Sequence, residues 1–93
     1  VETIVRLRSI RPVGLKPGEV ILVETGNGTY TLRIRIGAHV SFTGGRYVLP
    51  TEGVVVTQAI IEGESLMVQC GEADHIVRTS PIKHIAVILE AAA

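Results

Sequence analysis

The sequence predicts one all-β domain over residues 1–93, a sandwich or small barrel of about seven to nine short antiparallel strands, and three observations carry that expectation. Apolar residues make up 46% of the chain and aromatic residues 3%, so the core has to be built from Val, Ile and Leu, whose branched side chains suit a pleated sheet. Turn signals of Gly, Pro, Asn and Asp recur at roughly eight- to twelve-residue intervals. Between them, apolar residues alternate with polar ones or form short unbroken runs.

The first strand is expected over residues 4–10, where Val5 and Leu7 alternate with Arg6 and Arg8, and Pro12, Gly14, Pro17 and Gly18 break it. A β-hairpin follows over about residues 18–36. Its first arm is the apolar run Val20-Ile21-Leu22-Val23, and in its second Tyr30, Leu32, Ile34 and Ile36 alternate with Thr31, Arg33 and Arg35. Gly26-Asn27-Gly28 between them tolerate the positive φ of a tight turn. A second hairpin is read from residues 39–42 and 46–49 around Thr43-Gly44-Gly45, closed by Pro50. Residues 54–61 then read as one nearly unbroken apolar strand, a pattern that suggests burial on both faces or a place at an interface. The turns Glu62-Gly63-Glu64 and Gly71-Glu72-Ala73-Asp74 bracket a strand over 66–70, and strands over 75–79 and 82–89 are separated by Pro81. Ile85, Ala86, Ile88, Leu89 and the closing alanines would also suit a short helix.

Ninety-three residues bury about 60–70% of the unfolded chain's surface, enough for one core and no second domain. No apolar run reaches the length of a membrane helix, and the alternating charges of Glu2, Arg6 and Arg8 resemble neither a signal peptide nor a transit helix, so no membrane partner is expected. Cys70 is the single cysteine, which leaves no intrachain disulfide and gives no indication of compartment.

The formal net charge is zero, without the basic excess of a strong duplex-DNA binder. Residues 1–46 nevertheless carry seven basic against three acidic residues, and residues 47–93 two against six, giving halves of +4 and −4. Arg6 with Arg8 and Arg33 with Arg35 each occupy one face of a strand; if the two strands are neighbours, four guanidinium groups form a patch suited to carboxylates or phosphates. Carboxylates cluster in the later turns at Glu62, Glu64, Glu72 and Asp74.

Other chemistries find little support. His39, His75, His84 and Cys70 match no metal-ligand spacing, and no cofactor is expected. Ser80 near His84 and Asp74 near His75 lack a nucleophile elbow, so the chain is not expected to be an enzyme. The glycine pairs lead into strands, not into a helix N-terminus, and read as turns. Two functions survive. The favoured one is a structural or interaction protein that assembles with copies of itself, head to tail through the opposite charges of its halves, as ring, tube or virion shell components do. The alternative is a small β-barrel binding RNA or single-stranded DNA through Arg6, Arg8, Arg33 and Arg35, although Tyr30, Phe42 and Tyr47 fall on apolar faces and offer bases no exposed ring.

Overall fold

The computed structural model describes residues 2–45, 47–70 and 75–90. Two strands come first, β1 (Glu2–Leu7) and β2 (Ser9–Ile10), separated by a bend at Arg8 and followed by a 3₁₀ turn at Pro12–Gly14. The expected hairpin is β3 (Val20–Thr25) and β4 (Gly28–Ile36), joined by the two residues Gly26 and Asn27. Of the three turn residues only Gly28 takes a positive φ, 139°, so the freedom expected of Asn27 goes unused. The Thr25 hydroxyl braces this turn by accepting from the Asn27 N–H and donating to the Gly28 carbonyl.

The second hairpin is β5 (His39–Gly44) and β6 (Tyr47–Val55). Pro50 does not close it. Residues 53–55 pair with β8 (Ser65–Cys70), whereas among the described residues 47–52 have a strand neighbour only on the β5 side. The Val55 N–H donates to the Ala38 carbonyl on that side, and alternation along the strand turns the Pro50 nitrogen to the opposite edge, where no donor is required. The single strand expected over 54–61 is two pieces, the end of β6 and the short β7 (Ile60–Ile61). Between them the chain bends at Thr57-Gln58, with the Thr57 hydroxyl donating to the Ala59 carbonyl.

The last strand, β9 (His75–Glu90), is continuous through Pro81, so Ile85, Ala86, Ile88 and Leu89 are strand and not helix, while the closing alanines lie outside the described residues. Ile82 donates its N–H to the Glu64 carbonyl on the β8 side. The nitrogen of Pro81 therefore faces the other side, beyond the last residue of β3, Thr25, which pairs with Ile82. A bulge places Lys83 as an extra residue between the pairs Glu24–His84 and Thr25–Ile82. It turns Ile82 and Ile85, three apart, to the same interior face, where both are buried.

All pairings are antiparallel in the order β1-β9-β3-β4-β5-β6-β8, and β8 also bonds to β9, closing a six-stranded barrel. β1 runs along the second half of β9 on the edge whose first half carries β8; β2 and β7 form a small separate ladder. The interior is filled by alternate residues of each strand. One row around it runs Val87, Ile21, Leu32 and Phe42 across β9, β3, β4 and β5, all buried.

At the β8–β9 register shift, Leu66 has no direct opposite residue. Its N–H donates instead to the buried Thr79 hydroxyl, 3.0 Å away, and that hydroxyl donates to the Ser80 carbonyl. Thr79→Val keeps the volume but leaves a buried N–H without an acceptor. It is expected to cost about 1–3 kcal/mol in urea unfolding, while Thr79→Ser, which retains the hydroxyl, costs less.

Candidate interaction surface

Alternation along β1 and β4 turns Leu7, Leu32 and Ile34 toward the core and leaves Arg6, Arg33 and Arg35 exposed on the outer face. The two strands are not neighbours: β9 and β3 lie between them, a separation of about 14 Å at the usual strand spacing. The four arginines therefore form two groups, not one cluster.

Each group has its own attachments. Arg6 Nη2 lies 2.7 Å from one ring nitrogen of His84, Nδ1, with Nε2 on the other side of the ring. That second nitrogen lies 3.7 Å from Glu24 Oε2, and a guanidinium–imidazole–carboxylate line crosses β1, β9 and β3. Arg8 stands exposed at the bend, its carbonyl accepting from the Glu62 N–H at 2.8 Å. Basic and acidic halves of the chain thus meet there through the backbone. Arg33 lies opposite Val20 and reaches past it toward the Gly18 carbonyl at 3.4 Å. Arg35 pairs with Glu52 at 3.0 Å, both side chains more than half exposed, a contact worth at most about 1 kcal/mol.

Glu62 and Glu64 are exposed in the turn between β7 and β8, where the Glu64 backbone is held by Ile61 and Ile82. Glu72 and Asp74 lie outside the described residues. His39, His75 and His84 sit on β5, at the start of β9 and beyond its bulge, and among the described residues no three His, Cys, Asp or Glu side chains gather to hold a metal. Cys70 is buried at the end of β8, and desolvation raises its thiol pKa. Ser80 accepts a hydrogen bond from the Asn27 amide, which fastens the β3–β4 turn to β9.

Between the two arginine groups runs an apolar row that the charge pattern did not indicate. Ile4, Ile88 and Val20 lie side by side on the outer face of β1, β9 and β3, with Ala86 and Leu22 in the next parallel position. Val20 is buried, whereas Ile4 remains 65% exposed. The signal was the unbroken run Val20–Val23, which puts aliphatic side chains on both faces of one strand.

A second outer row, Ile36, His39, Val54, Gln69 and Ile76, crosses β4, β5, β6, β8 and β9. It borders an open cleft of about 640 Å³ that also holds the Arg35–Glu52 pair. Beyond it the overhanging part of β6 carries Val48 and Leu49, 83% and 77% exposed. Among the described residues no helix is long and apolar enough to cross a membrane. Comparison with protein-family models, with curated proteins and with solved structures finds no match.

Proposed function

We propose that this domain is a structural module that associates with copies of itself, as a homo-oligomer or as a component of a larger shell, ring or tube. The observation that supports this reading is the aliphatic surface left outside a filled barrel: Ile4, Ile36, Val48 and Leu49 are each at least 65% exposed. Burying one such side chain is worth about 1.5–3 kcal/mol, so four on each copy offer a gross gain comparable to the roughly 4–15 kcal/mol that association costs in lost freedom. A monomer gains nothing from them.

The alternative partner, RNA or single-stranded DNA, calls for a continuous cationic track. The division of the arginines by an apolar row, and the partners already held by Arg6 and Arg35, favour the first reading.

Light scattering over a range of protein and salt concentrations tests it, with absorbance at two wavelengths to detect nucleic acid. The expected result is a mass above the 9.9 kDa of one chain, unchanged by nuclease and sustained in high salt. A mass of 9.9 kDa at every concentration would overturn self-association, and a particle that nuclease dissolves would favour the alternative.

A further inference from the structure

The barrel closes through β8, which leaves β1 bonded on one edge only: among the described residues, Glu2–Leu7 have no backbone partner on the side away from β9. Open edges recruit further strands unless proline, a bulge, a cover or uncompensated charge prevents it, and the charges of β1, Glu2 and Arg6, are of opposite sign. The overhang of β6 has Pro50 with its nitrogen on the open side. β1 has no proline, and its register with β9 runs without interruption from Glu2–Glu90 to Leu7–Ile85.

Building on the self-association reading, we propose that two copies join through β1, antiparallel across a twofold axis at Ile4, into one sheet running from β9 of one copy to β9 of the other. Two features select a second copy of this chain as the occupant. The first is charge. Pairing about Ile4 sets position 2, a glutamate, opposite position 6 of the partner, an arginine, and does so twice, with Thr3 opposite Val5 between them. A parallel in-register pairing would instead set glutamate against glutamate and arginine against arginine. Arg6 is already steadied by His84 through one nitrogen and retains further donors for a carboxylate.

The second feature is the apolar row. Ile4, Ile88 and Val20 are in register across β1, β9 and β3, so the axis joins this row to its copy and covers the exposed Ile4 with its twin. The arrangement is isologous and closes at two chains. It therefore differs from the head-to-tail contact expected from the opposite charges of the halves.

A charge exchange tests the register. Glu2→Arg and Arg6→Glu, made singly, set like charges opposite each other at both ends and are expected to weaken the dimer at least about tenfold in Kd by analytical ultracentrifugation. The double variant Glu2→Arg/Arg6→Glu restores the opposite-charge pairs and should recover affinity to within about threefold, although it still lacks the Arg6–His84 contact. Ile4→Lys, an exposed position, should leave the far-UV circular dichroism unchanged and abolish dimers. If the wild type associates but neither single charge variant nor Ile4→Lys weakens it, the β1 interface falls and self-association through another surface stands. If the single variants weaken the dimer and the double variant does not recover, the register about Ile4 is wrong. A wild type that is monomeric throughout overturns both proposals.

Discussion

Phe42→Ala is expected to lower the unfolding free energy by about 3–5 kcal/mol, a large part of the roughly 5–14 kcal/mol typical of a 93-residue domain. Among the described residues Phe42 is the largest fully buried side chain, and its ring stacks on Tyr30 with centroids 5.6 Å apart and planes 15° from parallel. Leu32 stands opposite it on β4, so the ring fills the barrel at the level where Ile21 and Val87 complete the same row. The surrounding strands are tied into a closed ladder and cannot collapse into the space that the deletion leaves. Guanidinium unfolding of the variant beside Phe42→Leu, expected to cost about 1–1.5 kcal/mol, separates cavity formation from loss of the ring stack. Equal and small losses in both would mean that the barrel interior repacks freely.

The barrel was legible wherever local chemistry alone decides the conformation. The β3–β4 hairpin follows from an unbroken aliphatic run, a strictly alternating arm and a Gly-Asn-Gly turn, and it is found at those residues. The two prolines misled in the same way. Pro50 and Pro81 signal the ends of strands in sequence, yet each sits where its missing N–H faces an edge that lacks a neighbour, and which edge lacks one depends on the strand order of the whole barrel. The helical look of the last segment has a comparable origin. Ile85 and Leu89 face the interior while Ala86 and Ile88, paired with both β1 and β3, lie on the outer face, so the segment is apolar on both faces, and such a run cannot be told from a buried helix by periodicity alone.

The arginine surface was half legible for the same reason. Period-two alternation correctly turned Arg6, Arg33 and Arg35 outward, because Leu7, Leu32 and Ile34 claim the interior. Whether the two pairs meet is a question of strand order. The longest strand, β9, returns to lie between β1 and β3, and no local pattern announces a partner drawn from the other end of the chain. The apolar row between the groups could have been inferred from Val20 and Leu22, the two residues of an unbroken run that cannot both share the interior with Ile21 and Val23.

Gly44→Ala should destabilise the domain by about 2–5 kcal/mol, and it bears on the proposed function because Gly44 pairs with Tyr47, next to the exposed Val48 and Leu49. Its φ of 137° is one that side chains rarely adopt, and an added Cβ would lie 2.8 Å from the Thr29 carbonyl oxygen, 2.8 Å from Tyr30 Cδ1 and 2.9 Å from Tyr30 Cα. Two of these three atoms are backbone of β4. The third belongs to a ring held against Phe42, so none can move aside without disturbing the core. Gly37 provides the comparison: its φ is also positive, 57°, but no atom lies within 4 Å of the Cβ it lacks. Gly37→Ala therefore carries a backbone cost alone, about 1–2 kcal/mol, and the excess measured for Gly44→Ala in parallel urea titrations combines the clash with the less accessible φ of 137°. Equal losses at the two positions would show that β5 can move away from β4 at no cost. If the overhang takes part in assembly, Gly44→Ala should also lower the mass measured by light scattering under conditions where the variant remains folded, while Gly37→Ala leaves it unchanged.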